Sequence, residues 1–256
     1  MTPEQMVSRI LYRDGLMLVI DKPAGLAVHR GAPNSKDRGR ESLEDHFDTL
    51  RFGLPRPPAL AHRLDRDTSG CLVLGRHRKA LAQLGKLFRN GEIGKTYWAV
   101  VEGSPDADEG RIDLPLGRLD DKIGWWMKHD PAGQPSATKW KVMGHAPSAS
   151  LTWLELEPLT GRTHQLRVHC AETGWPILGD AIYGTAPRVG GPILHLYARE
   201  IVVPLYKNRA PIRVTAPAPP HMHEQLMACG WAGTETDSML TRDIAQSDAA
   251  VSRSFP

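Results

Sequence analysis

The apolar residues of this chain come in short runs, and Gly, Pro, Asp or clustered charges separate them. Such spacing constrains the fold, because strands are satisfied by short runs and helices need longer ones. Arg9-Ile10-Leu11-Tyr12 and the run 16–20 flank Asp14-Gly15 and read as two strands around an Asp-Gly turn. Residues 96–101 are β-branched and aromatic, a third strand. In 151–157, Leu154 and Leu156 alternate with Glu155 and Glu157, so one face of that strand is wet. Residues 194–203 read as another strand, and Pro204 leads toward a last one near Arg213-Val214. Strands outnumber helices, and several are joined by hairpin-like turns. The expected class is α+β, with a mixed, largely antiparallel central sheet flanked by helices and loops.

Helical periodicity is clearest over residues 77–90. At 100° per residue, Ala80, Leu81, Leu84, Leu87 and Phe88 share one arc. Arg78, Lys79, Lys86 and Arg89 lie opposite, with Gly91 at the C-terminal cap. That basic face is open to two readings, simple solvation and contact with a phosphate backbone. Thr163 is placed to cap a second helix over 164–173, ended by Gly174. Segment 30–58 reads as a loop-dominated crossover with one short helix near 42–50. Residues 104–113 read as a turn-rich connection. Residues 117–138 read as irregular, with Trp125-Trp126 between Lys122 and Lys128 either stacking on bases or completing a core. Pro217-Ala218-Pro219-Pro220 closes the domain. The expected organisation is one domain over 1–231 and a disordered tail over 232–256.

One nine-residue string carries the chemistry: His62-Arg63-Leu64-Asp65-Arg66-Asp67-Thr68-Ser69-Gly70. Asp65 sits between two arginines, whose charge favours its ionised form and would hold an anionic substrate close to it. A solvated charge cluster is the plain alternative, and the ordered Thr-Ser-Gly that follows, with the blocks downstream, argues against it.

This string resembles the active-site motif of the RluA family of pseudouridine synthases. Three further blocks support the resemblance, in the family's order. Asp21-Lys22-Pro23-Ala24-Gly25-Leu26-Ala27-Val28-His29 is similar to its first motif, and Lys95-Thr96-Tyr97-Trp98-Ala99 to its tyrosine motif. Thr160-Gly161-Arg162-Thr163-His164-Gln165-Leu166-Arg167-Val168-His169 and Pro176-Ile177-Leu178-Gly179-Asp180 are similar to its third. Together the blocks cover roughly residues 10–218. The resemblance implies a single catalytic domain with its cleft across the central sheet. Only nine residues precede the first strand, so the S4 RNA-binding module of some relatives is not expected. Two features depart from the pattern: Arg76, where relatives often have small residues, and segment 30–58, which aligns poorly.

Pseudouridine formation breaks the C1′–N1 glycosidic bond of uridine, rotates the uracil and joins C5 to C1′. The reaction needs neither metal nor redox cofactor, and none is expected here. By resemblance, Asp65 is the catalytic carboxylate, acting either as nucleophile at C1′ or as the base opening a glycal route. Arg167 is implied to pair with it. Tyr97 is implied to pack on the target base, its hydroxyl a candidate for the C5 proton. Arg63 is implied to hold the flipped nucleotide, since a stacked uridine must leave its stack at a cost of a few kcal/mol. Arg66, Arg162 and His164, with Lys22 and His29 in the first motif, complete the expected RNA-binding set. The expected substrate is a ribosomal or transfer RNA stem-loop, and the segment 133–138 also resembles members acting on such targets. A monomer is expected.

Composition agrees and excludes other classes. Apolar residues make up 41% and charged residues 24%, ordinary values for a globular chain. No run approaches the ~20 apolar residues of a membrane span, and the N-terminus lacks a signal peptide's apolar core, so a cytoplasmic protein is expected. Cys71, Cys170 and Cys229 are widely spaced with no Cys-x-x-Cys pair, which supports neither a zinc ribbon nor a disulfide framework. The net charge of +3 says little, yet eight Lys and Arg face three Asp and Glu between residues 61 and 100. That is a basic stripe of the kind RNA phosphates require. His62-Arg63-Leu64-Asp65 lacks the companions of a kinase loop. His164 and His169 lie about 140° apart on a helix, unsuited to a shared metal. A non-catalytic RNA-binding protein on the same fold is the serious alternative.

Overall fold

A computed structural model describes residues 1–30, 39–120, 126–147 and 150–233 of the chain. Its centre is a ten-stranded sheet of order β1-β2-β4-β11-β5-β10-β9-β6, with β12 on β11 and β3 on β4. The strands are β1 (Ile10–Arg13), β2 (Met17–Lys22), β3 (Ala59–Leu60), β4 (Ser69–Gly75), β5 (Gly94–Glu102) and β6 (Glu109–Asp113). After β7 (Leu116–Arg118) and β8 (Met127–His129), which form a separate ribbon, come β9 (Ala137–His145), β10 (Leu151–Pro158), β11 (Leu196–Val203) and β12 (Ile212–Thr215). The helices are α1 (Pro3–Val7), α2 (Arg78–Arg89), α3 (Gln165–Glu172) and α4 (His223–Ala228), with 3-10 segments Leu43–Leu50 and Pro220–Met222. The α+β expectation holds. Among the described strands β4 and β11 are parallel neighbours, and the other pairings are antiparallel.

Strand β4 is buried along its whole length, as the near-continuous run Cys71-Leu72-Val73-Leu74 requires of a central strand. Its start depends on Gly70. There φ is +98°, and a Cβ would lie 2.3 Å from the Ala198 carbonyl oxygen of β11. Only glycine lets the two backbones approach so closely. Against β2 and β4 packs the first core, with Ile20, Leu72, Leu84 of α2 and Val203 of β11. A second core joins β5 and β10 to α3 through Ala99, Leu154, Leu156, Leu166 and Cys170.

Several local expectations are corrected. The stretches read as turn-rich and irregular hold β6, β7 and β8 and the start of β9. These strands carry charge on exposed positions, with Glu109 opposite Lys141 and Arg111 opposite Lys139, so they give little apolar signal. Gly110 makes room for the Trp140 indole, 2.7 Å from where its Cβ would be. The proline run does not end the fold: α4 follows it, and Met222, Leu226 and Cys229 bury against Val100 and Trp153. Trp126 lies under the Arg188 guanidinium, while Trp125, Lys122 and residues 234–256 of the expected tail lie outside the described residues. Arg76, the departure noted above, donates to the carbonyls of Asp14, Arg51 and Phe52 and so ties two loops together.

Candidate active site

Asp65 stands on the loop between β3 and β4, its side chain 29% exposed. The loop is fixed from three sides. Leu64 is buried in the first core. His62 accepts a hydrogen bond from the Val73 amide through Nε2 at 3.0 Å and stacks on Phe88 of α2. Burial, with the Lys95 charge nearby, pushes the His62 imidazole down to about 3, so it stays a neutral acceptor. The third fixture is Lys22.

Lys22 corrects the sequence expectation. It is fully buried, and its ammonium donates to the carbonyls of Pro23, Leu26 and Arg66 at 2.7–2.8 Å. All three of its protons are used inside the protein, so it braces the Asp65 loop and offers no contact to RNA. Burial pushes its pKa down to about 7, against the pull of Asp67, Asp65 and Asp21. His29, also expected on the RNA surface, pairs with Glu44 on the first 3-10 segment at 3.1 Å.

Opposite Asp65 lies α3, whose residues 165–170 are all buried. Thr163 is not its cap. The N-cap is His164, held in the left-handed region at φ 52°, a backbone strain that side chains seldom adopt without a fixed surrounding. Gln165 supplies part of that surrounding. Its amide oxygen accepts from Thr160 and the Arg162 amide, and its nitrogen donates to Ala137 and Thr138. His169 anchors the same region, its ring nitrogens meeting Thr138 and Ser136.

Arg167 is 4% exposed. Its expected partner, Asp65, stands 3.9 Å from Nη1, within ion-pair reach but beyond a hydrogen bond. The bidentate partner is Asp180 instead: Arg167 Nε and Nη2 donate to its two oxygens at 2.8 and 2.7 Å. Asp180 is wholly buried and also accepts from the amides of Ile182 and Tyr183. Burial alone would raise its pKa, but the Arg167 bonds and these amides hold it below the usual carboxylate value. A guanidinium clamped on one edge therefore presents its remaining NH2 to Asp65. This arrangement supplies charge to Asp65 without sealing its oxygens.

A second cation-capable group faces the same oxygen. His164 Nε2 is 3.8 Å from Asp65 Oδ2, and its Nδ1 is 2.8 Å from the Tyr183 hydroxyl. That hydroxyl already accepts from the Met127 amide at 2.8 Å. Donation of the phenol proton to Nδ1 would put the imidazole proton on Nε2, on the Asp65 side. Burial lowers the His164 pKa, with Asp65 pulling the other way.

Tyr97 lies on β5 between β10 and β11, opposite Leu156 and Ala198. Burial first, and then the Asp65 charge, raise its phenol well above the usual value. Arg63 is exposed and Arg66 half-buried on the Asp65 loop, while Arg162 is exposed and donates to the Pro135 carbonyl. The structure therefore brings Asp65, Arg167 and His164 together with Tyr97 beside them, and leaves His29 elsewhere. The sequence reading quoted Asp180 without giving it a role and missed Tyr183. A lone carboxylate closing the apolar run Pro176-Ile177-Leu178-Gly179 was the available signal, since such a group needs a buried partner. Among the described residues no group of His, Cys, Asp and Glu is arranged to hold a metal ion.

Comparison with known proteins points one way. The sequence model of one family, RNA pseudouridylate synthase, matches residues 16–172. The chain is 41% identical over 218 residues to an uncharacterized RNA pseudouridine synthase of Zymomonas mobilis subsp. mobilis, covering 84% of this chain and 95% of that protein. It is 37% identical to ribosomal large subunit pseudouridine synthase D of Yersinia pestis, over 73% of this chain and 55% of that one. Among solved structures, human RNA pseudouridylate synthase domain containing 4 superposes with a TM-score of 0.72 at 27% identity. That match covers 88% of this chain and 94% of the human one.

Proposed function

From the premise that the chain belongs to the RluA family of RNA pseudouridine synthases, an isomerase family, we propose that Asp65 is its catalytic carboxylate. The single observation that carries the proposal is the half-buried Asp65 beside an Arg167 that Asp180 holds in place. Both available roles, nucleophile at C1′ and base in a glycal route, need an ionised carboxylate with a free oxygen. A guanidinium 3.9 Å away stabilises that charge and leaves the oxygen open. His164 Nε2 lies 3.8 Å from the same oxygen, on the same side.

Tyr97 enters as a neutral phenol, because its raised pKa keeps the proton on at neutral pH. Its ring offers a face to the uracil. It takes the C5 proton only if its own proton passes on, and Asp65 is the neighbouring charged acceptor. The uridine reaches this site by leaving its stack, at a cost of a few kcal/mol. Arg63, exposed two residues from Asp65, and Arg66 are positioned to hold the flanking phosphates, with Arg162 on the facing loop. The substrate is a ribosomal or transfer RNA stem-loop, acted on by a cytoplasmic monomer. No described helix is long and apolar enough to cross a membrane.

The test is tritium release from C5-tritiated uridine RNA. Asp65→Asn is expected to abolish release while RNA binding persists, and turnover retained by that variant refutes the assignment. Mapping pseudouridines in RNA from cells lacking the protein identifies the position.

A further inference from the structure

Among the described residues, the outward face of α2 is a strongly charged feature that the site does not use. Arg78, Lys79, Lys86 and Arg89 are all exposed and, at 100° per residue, fall within an arc of about 100° that otherwise holds only Ala82. The helix contains no acidic residue. Several arginines elsewhere on the surface meet a carboxylate: Arg30 meets Asp45, Arg51 meets Asp48, Arg111 meets Asp113 and Arg213 meets Glu200. Among the described residues the four cations of α2 have no such partner. Unpaired like charges on one helix face repel one another, so the arrangement favours an external anion.

Two elements flank this face. On one flank Phe88 stacks on His62 at 4.5 Å, next to the exposed Arg63 of the Asp65 loop. On the other, Gln83 donates to the Leu205 carbonyl at 2.6 Å, at the foot of a loop bearing exposed Lys207 and Arg209. Exposed cations thus stand on the elements at both flanks of the α2 face, one of them, Arg63, two residues from Asp65. The arc exposes no large apolar side chain, which a protein interface core or a membrane surface would require. We propose that this face of α2 docks the phosphate backbone of the substrate RNA outside the target uridine, setting affinity and leaving the chemical step unchanged. The proposal rests on the reading of Asp65 as a pseudouridine-forming site.

Phosphate contact is independent of sequence, so any structured stem-loop transcript serves as the binding probe. In the full chain, Arg78→Gln, Lys79→Gln, Lys86→Gln and Arg89→Gln together are expected to flatten the slope of log affinity against log salt by about 3 to 4. With C5-tritiated cellular RNA the same variant should raise KM about tenfold or more with kcat within about twofold. The pair Arg78→Gln/Lys79→Gln and the pair Lys86→Gln/Arg89→Gln, each less perturbing, should each give about half the slope change. An unchanged slope overturns the proposal and leaves the face to a protein partner or to solvent. A fall in kcat with unchanged KM overturns it too, because the helix would then act through the Asp65 loop. A wild type that releases no tritium sinks the functional reading instead, and the slope still decides the docking surface.

Discussion

Asp180→Asn isolates the contact on which the site's geometry rests. In the wild type, Asp180 accepts four bonds with no solvent exposure: two from Arg167 and one each from the amides of Ile182 and Tyr183. An asparagine can keep its Oδ1 on Arg167 Nη2 and both amides. Its NH2 then replaces Oδ2, and a donor meets the Arg167 Nε donor across a 2.8 Å gap. One charge-assisted bond is lost, and the guanidinium loses its buried countercharge. Breaking one side of a buried pair costs about 3–5 kcal/mol. Asp65, 3.9 Å away and partly exposed, compensates in part, so the lower end applies. About 3 kcal/mol corresponds to a fall of roughly 6–12 °C in Tm for a domain of this size.

Urea denaturation gives the free energy, and a thermal melt checks it. The pH dependence gives a second check. Asp180 has a lowered native pKa, so its contribution is present above the unfolded pKa and lost as pH falls through the native one. The gap between wild type and variant should be full at neutral pH and close in acid. Released from Asp180, Arg167 should also swing onto Asp65 and occupy its oxygen, lowering kcat while RNA still binds. The double variant Arg167→Met/Asp180→Asn removes the orphaned charge and should recover part of the stability with no turnover. A stability loss under about 1 kcal/mol with near-normal kcat would refute the claim that this pair holds the site.

Two further outcomes follow from the same frame. Gly70→Ala forces a Cβ to within 2.3 Å of the Ala198 carbonyl oxygen at a φ of +98°, so it should destabilise the fold by about 3 kcal/mol or more, read by urea denaturation. At Asp21, burial raises the pKa to about 6 despite Arg9 and Lys22. A raised carboxylate pKa means stability is lost as pH climbs from the unfolded value to the native one. Asp21→Asn should therefore gain on the wild type by about 3 kcal/mol between pH 4 and pH 7, and a gap that does not change with pH excludes a raised pKa.

Much of this molecule is legible along the chain, for identifiable reasons. The strands β2, β5, β10 and β11 and helix α2 carry their own periodicity, and each lies where that periodicity put it. Asp65 and Arg167 were recognisable because their types and neighbours recur as a set. Their exact partners were not legible, because a string of residues does not say which carboxylate a buried guanidinium will meet. Lys22 shows the same limit from the other side: a lysine before proline looks solvent-facing, and only the converging carbonyls of Pro23, Leu26 and Arg66 draw it inside. Thr163 had the better local claim to cap α3. It lost because the Gln165 amide network fixes the preceding turn and forces the left-handed kink onto His164. The edge strand β6 and its neighbour β9 escaped notice because their exposed Lys, Glu and Arg hide the alternation.

The insertion of β11 between β4 and β5 has a consequence for biosynthesis. A ribosome delivers residues 69–75 and 94–102 well before 196–203, so the nascent chain must hold two apolar strands with open flanks while about a hundred residues are still being added. Open flanks recruit other strands, including those of neighbouring chains. The late strand closes both at once, and that closure brings the loop of Asp65 alongside Tyr97. Shielding during synthesis, by a holding chaperone or by slow dilution from the exit tunnel, should thus govern how much protein is recovered more than the stability of the finished fold does.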